Sequence, residues 1–224
     1  MKFSAILFDL DGTLVDSESV WLTAEQDFLR RRGKVYDPVL HAATHGTAAL
    51  ESMNIIRRIY GIEDEAEAIL NEVTTQVKAL LKAHSVAKPG AAEILHYVKS
   101  HQLPRALVSN SSHEIIEVTL QNHPWASFLE LRCSADDVKN PKPAPDLYLY
   151  AAQKLGIPPQ ECLVIEDSHN GAKAAVAAGA TCFAVPDSQG TLDFTGITDH
   201  VFGDLQQVLD AIRADRKFSY GQNN

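Results

Sequence analysis

The sequence has few cysteines, no long apolar run and no excess of positive charge, and each shortage excludes a class of protein. Its three cysteines, Cys133, Cys162 and Cys182, are odd in number and form no C-x-x-C pair, which argues against a disulfide or zinc framework. No stretch approaches the ~18 apolar residues of a membrane span. Asp9 also interrupts the N-terminal apolar run that could imitate a signal peptide. We expect a cytoplasmic protein with reduced thiols and no membrane partner.

The formal net charge of −9 argues against nucleic acid as a partner, because broad nucleic-acid binding needs a basic face that displaces counterions from phosphates. One small phosphorylated ligand remains compatible with this charge, since a metal ion and a single lysine could neutralise it locally. The content of 45% hydrophobic and 22% charged residues is that of an ordinary folded chain. We expect a monomer or a weak homodimer.

Short apolar segments alternate with helical patterns along most of the chain. The strand candidates are Ala5–Phe8, Arg105–Ser109, Leu129–Cys133, Cys162–Glu166 and Thr181–Val185. The helical patterns are Ala91–Ser100, His113–Asn122, Asp146–Leu155 and Asn170–Ala178. This alternation predicts an α/β fold with a Rossmann-like, doubly wound parallel sheet.

One long segment, from about Ser17 to Ala87, interrupts this alternation with helices in series. The turn signal Lys88-Pro89-Gly90 then restarts the α/β pattern. The predicted organisation is therefore a discontinuous core domain, residues 1–16 and 88–224, with an inserted all-helical cap domain at residues 17–87.

Polar side chains follow four of the predicted strands at the point where each strand ends. They are Asp9 and Asp11 after the first, Ser109 and Asn110 at the end of the second, Lys142 after the third, and Glu166 and Asp167 at the end of the fourth. In open α/β sheets, ligands bind beyond the carboxyl ends of the strands. Each residue alone could be a turn acid, a helix cap or a solvated lysine. Together they indicate one site.

Asp9 and Asp11 suggest the chemistry of that site. They flank one leucine, so in an extended chain their side chains point to the same side, and their repulsion requires a compensating cation. An aspartate can attack phosphorus and form an aspartyl-phosphate, while a second carboxyl protonates the leaving oxygen and later activates water. Clustered carboxylates suit Mg²⁺, which commonly binds one or two of them together with substrate phosphate. Mg²⁺ is therefore the expected cofactor.

Four segments, "FDLDGTLVDSE", "VSNSS", "KPAPDLYLYAAQKLG" and "LVIEDSHNGAKAAVAAGA", resemble in this order the four motifs of haloacid dehalogenase superfamily phosphatases, in the branch that includes β-phosphoglucomutase. The resemblance covers nearly the whole predicted core, and the cap matches in type only. Related dehalogenases carry an aromatic residue where Asp11 stands and need no metal, so Asp11 indicates phosphate-ester chemistry.

The resemblance implies a role for each residue at the strand ends. Asp9 would be the nucleophile and Asp11 the general acid and base. Ser109 and the backbone amide of Asn110 would bind the transferring phosphoryl group, and Lys142 would neutralise the nucleophile and the phosphoryl oxygens.

The resemblance also implies a metal site and a moving cap. Mg²⁺ would be held by Asp9, the backbone carbonyl of Asp11, and Asp167. Glu166 would be either a further ligand or a hydrogen-bond acceptor behind the ligands. The cap would close to exclude water and would determine the substrate. The predicted function is a Mg²⁺-dependent phosphatase that hydrolyses a small phosphorylated metabolite, with a sugar phosphate favoured, through an aspartyl-phosphate on Asp9.

Two other functions stay open. Phosphomutases of the β-phosphoglucomutase type carry a basic cap loop for a second phosphate. The similar stretch here, "THGTAAL", has His45 before Gly46, and Ala48 and Ala49 after Thr47, so the charge that a second phosphate needs is missing. The mutase is therefore the second hypothesis, and His45 is the cap residue expected to face the substrate. A non-catalytic regulatory module ranks third, because it would not need Asp11 and Lys142 together.

His41 and His45 stand four residues apart, a spacing that can bind a metal on a helix face. No third ligand is apparent in the sequence. We therefore interpret them as a pair of surface histidines.

Overall fold

The computed structural model describes residues 3–41, 44, 49–186 and 193–214. The described residues form five strands, β1 (Ala5–Phe8), β2 (Arg105–Ser109), β3 (Leu131–Ser134), β4 (Cys162–Glu166) and β5 (Thr181–Ala184). The helices are α1 (Glu18–Arg31), α2 (Pro38–His41), α3 (Ala49–Tyr60), α4 (Ala66–Ala83), α5 (Ala91–Ser100), α6 (His113–Leu120), α7 (Asp146–Leu155), α8 (His169–Ala177) and α9 (Leu205–Ala214). Short 3₁₀ segments cover Pro124–Phe128, Ala135–Asp137 and Pro159–Glu161. None of these helices is both long enough and apolar enough to serve as a membrane span.

The five strands form one parallel sheet in the order β3-β2-β1-β4-β5. β1 is central, and its residue Leu7 pairs with Ala106 of β2 and with Val164 of β4. The chain therefore builds outwards from β1 in both directions, and the strand order reverses beside it. This confirms the predicted doubly wound α/β fold and places the ligand-binding switch point at the carboxyl ends of β1 and its neighbours.

Both faces of the sheet are covered, which explains why its strands read as continuous apolar runs. Ile6 and Phe8 of β1 belong to one buried cluster, to which α5 and α9 contribute. Ala5 and Leu7 belong to a second cluster, to which α7 and α8 contribute. Successive side chains of β1 thus face opposite layers, as the period of a strand requires.

The third strand begins later than its sequence pattern predicts. Leu129 is fully buried, which explains the apolar pattern, but its carbonyl accepts a hydrogen bond from Arg132 Nε at 3.1 Å instead of joining the sheet. The preceding segment Pro124–Phe128 forms a 3₁₀ helix. The strand therefore starts at Leu131, because side-chain donors occupy the backbone acceptors before it.

The chain divides into two compact units, residues 1–16 with 86–224, and residues 17–85. The second contains α1 to α4, and its described residues form no strand. In the first, Asp16 N donates to Val86 O at 2.9 Å and Val15 pairs with Ala87 in an antiparallel bridge. The chain thus rejoins the α/β unit two residues before the turn signal at Lys88 that marks the predicted boundary.

Within the helical unit, α1 and α4 pack through a buried apolar seam. Phe28 and Val73 are both fully buried. The guanidinium of Arg32 lies 3.8 Å from the centroid of the Phe28 ring and donates to both carboxylate oxygens of Glu72. The basic end of α1 therefore stabilises this unit through ion pairs and a cation–π contact.

Candidate active site

Three carboxylates meet at the carboxyl edge of the sheet. Asp9 follows β1, and its backbone N–H donates to Ile165 O of β4 at 3.0 Å, so it stays beside that strand. Glu166 ends β4 and Asp167 comes next. All three are buried, and each offers an oxygen that lies within 4.8 Å of those of the other two. The alignment of β1 with β4 thus brings together acids that are far apart in sequence.

Lys142 extends into this group from the segment before α7. Its ammonium donates to Asp9 Oδ1 at 2.6 Å, to Glu166 Oε1 at 2.7 Å and to Val108 O at 2.7 Å. All three of its protons are therefore used, and only 3% of the side chain is exposed. The buried ammonium of Lys142 thus bridges the carboxylates of Asp9 and Glu166.

Burial and charge shift the pKa values in this cluster in the same direction for different reasons. Burial raises the pKa of Asp9 to about 8; Lys142 opposes that shift, while Glu166 and Asp11 add to it. Burial disfavours the charge on Lys142, but the attraction of Asp9 and Glu166 outweighs it, so the pKa of Lys142 is also raised. The surroundings therefore favour the charged ammonium of Lys142 and disfavour the charged form of Asp9.

The two oxygens of Glu166 accept five hydrogen bonds. Oε1 accepts from Lys142 Nζ and from the Tyr148 hydroxyl at 2.9 Å. Oε2 accepts from the backbone N–H groups of Asp167 and Ser168, both at 3.1 Å, and from the Ser168 hydroxyl at 3.0 Å. Glu166 therefore holds the turn after β4 and the side chain of Lys142 in one arrangement.

Two glycines leave room for these carboxylates. Gly12 has a φ of +82°, and a Cβ there would lie 2.1 Å from Asp167 Oδ2. A Cβ on Gly171, in the first turn of α8, would lie 1.6 Å from Glu166 Oε1. Thr13 then donates its hydroxyl to Asp167 Oδ1 at 3.2 Å. The glycines of the first and fourth motifs are thus required by the close approach of the acids as well as by turn geometry.

The last residue of β2 and the loop after it hold Asp11. The hydroxyls of Ser109 and Ser111 both donate to Asp11 Oδ2, at 2.8 Å and 2.9 Å. The residues predicted to bind a phosphoryl group and to exchange protons are therefore in direct contact. Ser111 lies inside the quoted second motif but is not among the predicted site residues.

Asn110 makes a contact that its predicted role did not include. Its side-chain carbonyl accepts from Lys142 N–H at 2.9 Å, and its side-chain amide donates to Lys142 O at 3.0 Å. These two bonds fix the main chain on both sides of the Lys142 Cα. The loops after β2 and β3 are thereby joined where Lys142 enters the cluster.

Tyr148 is a second residue that the sequence reasoning missed. It is 1% exposed, its hydroxyl donates to Glu166, and its ring centroid lies 4.9 Å from Lys142 Nζ. A signal was available, because a buried tyrosine usually directs its hydroxyl to a polar partner. In the sequence it stands among the apolar positions of α7, close to the motif lysine.

The interpretation of His41 as a surface residue is wrong. His41 is buried, and its Nε2 lies 2.8 Å from Glu25 Oε2 on α1, with the ring of Tyr36 at 4.9 Å between centroids. Burial of Glu25 and His41 together explains the difference, because each gives the other a polar partner. His45, the predicted substrate contact, lies outside the described residues.

The fold and this site define the class of protein. It is an α/β enzyme with a helical insertion after the first strand, and it carries a buried lysine and several acids at the strand ends. A family model described as haloacid dehalogenase-like hydrolase matches residues 3–179. The chain therefore belongs to the haloacid dehalogenase-like hydrolases, which confirms the resemblance noted in the sequence.

Several relatives of this chain are named as phosphatases. Hexitol phosphatase A of Escherichia coli is 35% identical over 212 residues, which cover 93% of this chain and 94% of that protein. The bifunctional riboflavin kinase/FMN phosphatase of Arabidopsis thaliana is 32% identical over 92% of this chain, but the match spans 54% of that longer protein. These relatives confirm the prediction that the chain is a phosphatase.

The solved structures give the same family assignment. A haloacid dehalogenase family hydrolase of Deinococcus radiodurans R1, solved with bound phosphate and sodium, superimposes with a TM-score of 0.77 at 29% identity. The match covers 95% of this chain and 96% of that one. The α/β unit and the helical insertion therefore recur together in a known enzyme family.

The contact between Tyr148 and Glu166 yields a stability prediction. Tyr148→Phe removes only the hydroxyl that donates to a buried carboxylate and leaves the ring beside Lys142. Because hydrogen bonds to charged groups contribute about 1.5–3 kcal/mol, we expect the free energy of unfolding to fall by about that amount. Urea denaturation measures it. Tyr150→Phe, on the half-buried side of the same helix, is the matched control and should change stability by less than about 0.5 kcal/mol; equal effects of the two variants would contradict the assignment.

Proposed function

We propose that the protein is a Mg²⁺-dependent phosphatase that hydrolyses a small sugar or polyol phosphate through an aspartyl-phosphate on Asp9. The observation that carries this proposal is the buried contact between Lys142 Nζ and Asp9 Oδ1, beside Glu166 and Asp167. A carboxylate in this setting lies against a fixed positive charge, which also attracts the phosphoryl group that the carboxylate would attack.

The reaction would proceed in two displacements at phosphorus. Asp9 attacks the phosphorus and the bond to the leaving oxygen breaks, while Asp11 gives that oxygen a proton. Water then attacks the aspartyl-phosphate, Asp11 takes a proton from it, and Asp9 is restored with release of inorganic phosphate. Ser109 and the backbone amide of Asn110 would bind phosphoryl oxygens, and Lys142 would neutralise them.

The donor set fits a hard divalent cation. The three carboxylates are buried and close together, and oxygen ligands of this kind suit Mg²⁺. We assign the ligands as Asp9, Asp167 and the backbone carbonyl of Asp11. Glu166 is the acceptor behind them, because its two oxygens already accept five hydrogen bonds. When bound, Mg²⁺ supplies positive charge that offsets the phosphoryl oxygens.

The substrate class is proposed from the relatives. The name of the E. coli relative, hexitol phosphatase A, favours a phosphorylated sugar or polyol for this chain. We propose that the helical unit, residues 17–85, is the cap that selects among such substrates.

Asp9→Asn should abolish turnover in a folded protein, because an amide neither attacks phosphorus nor carries the anionic charge of a ligand. The measurement is release of inorganic phosphate from p-nitrophenyl phosphate and hexitol phosphates with Mg²⁺, with circular dichroism to confirm folding. Asp210→Asn on α9, whose carboxylate lies near the exposed Arg213, is the matched control and should retain activity. Near-normal turnover by Asp9→Asn would exclude Asp9 as the nucleophile.

A second experiment separates the phosphatase from the mutase. Wild-type protein is incubated with hexose 1-phosphate, and formation of the isomer instead of release of inorganic phosphate would favour the mutase.

Metal affinity should depend on pH. Since burial raises the pKa of Asp9 to about 8 without metal, Mg²⁺ must displace a proton below that pH. We expect its apparent affinity to rise as the pH approaches about 8 and then to level off. Titration calorimetry in two buffers of different ionisation enthalpy measures the released proton. Binding without proton release below that pH would contradict Asp9 as a ligand.

Chelator should stop turnover and added Mg²⁺ should restore it. Activity that persists in excess chelator would contradict the metal assignment.

A further inference from the structure

Asp11 is held by two hydroxyl groups, one on the last residue of β2 and one in the loop that follows. Ser109 and Ser111 both donate to its Oδ2 atom, at 2.8 Å and 2.9 Å. The backbone of Ser111 is fixed as well, since its N–H donates to Ser109 Oγ at 2.9 Å and its carbonyl accepts from the Ser134 hydroxyl at 2.8 Å. Ser134 is fully buried at the end of β3, so the loop is tied to the sheet.

These two serines cannot have the same function during the reaction. A hydroxyl has one proton to donate, and in the structure the proton of Ser109 is given to Asp11. If Ser109 binds a phosphoryl oxygen, as the proposed function requires, that proton must leave Asp11. Ser111 is then the hydroxyl that continues to hold Asp11 Oδ2 while substrate is bound.

We propose that Ser111 is a positioning residue for Asp11, and that it keeps this carboxyl directed at the leaving oxygen after Ser109 has turned to the phosphoryl group. The inference rests on the proposed function and extends it to a residue outside the predicted site. With Oδ2 held by Ser111, the proton that Asp11 transfers is carried on Oδ1. Loss of the Ser111 hydroxyl therefore impairs protonation of the leaving group and leaves attack by Asp9 intact.

These separate roles of Ser109 and Ser111 predict that the effect of Ser111→Ala on kcat/KM depends on the leaving group. Phenyl phosphate and p-nitrophenyl phosphate have similar shapes, but phenolate is the stronger base and needs protonation more. In Ser111→Ala, we expect kcat/KM for phenyl phosphate to fall about tenfold more than kcat/KM for p-nitrophenyl phosphate, within the range of general acid catalysis. Both values report on formation of the aspartyl-phosphate, because that step releases the phenol.

The matched variants separate positioning from general damage to the loop. Ser111→Thr keeps a hydroxyl and should restore the wild-type ratio of the two kcat/KM values. Ser111→Gly also lacks the hydroxyl and should reproduce the shift, and thermal unfolding verifies that each variant is folded. Ser112→Ala removes the neighbouring hydroxyl, which accepts from Ile115 N at the start of α6, and should leave the ratio unchanged.

The outcomes are distinct. If wild-type protein with Mg²⁺ hydrolyses neither these esters nor hexitol phosphates, the proposed function fails and this inference fails with it. If it hydrolyses hexitol phosphates alone, an unchanged kcat/KM in Ser111→Ala overturns the inference, because their alkoxide leaving groups need protonation most. If it hydrolyses both phenyl esters and Ser111→Ala lowers both values equally, the inference alone is overturned. The same holds if Ser112→Ala shifts the ratio as much as Ser111→Ala does.

Discussion

The structure of the site depends on one buried ion pair, between the ammonium of Lys142 and the carboxylate of Asp9 at 2.6 Å. A lysine that is 3% exposed would lose much of its favourable solvation unless each of its protons had a partner. Asp9, Glu166 and Val108 O provide these partners. The same ammonium moderates the repulsion among the acids. Neither the lysine nor the acids would therefore be stable in a buried position without the other.

This constraint accounts for several features that would otherwise look unrelated. Asn110 fixes the main chain of Lys142, and Tyr148 together with the turn after β4 holds Glu166. Gly171 gives that carboxylate the space that a side chain would fill. The doubly wound sheet supplies the frame, because β1, β2 and β4 are neighbours and end at the same edge. The proposed divalent cation and phosphorylated substrate would offset the negative charge that remains among these acids.

Much of this arrangement was predictable from the sequence, because strands and their terminal acids are local patterns. Ala5–Phe8 is continuous and apolar, and Asp9 follows it directly, so the strand and the position of the acid could be predicted together. The contact between Asn110 and Lys142 could not, since it depends on how two separate loops meet. Leu129 is buried like a strand residue while its carbonyl is bound by Arg132, which no hydrophobic pattern reveals. His41 looked exposed because its partner, Glu25, lies on another helix.

The most direct test of the central claim is to identify the residue that carries the phosphoryl group during turnover. Protein mixed with Mg²⁺ and p-nitrophenyl phosphate is quenched in acid and treated with borohydride, which reduces an aspartyl-phosphate to homoserine. Peptide mass spectrometry then distinguishes Asp9 from Asp11. We expect homoserine at position 9 alone, and none in a sample quenched without substrate. Turnover with an unmodified Asp9, or with the modification at Asp11, would contradict the assignment of Asp9 as the nucleophile.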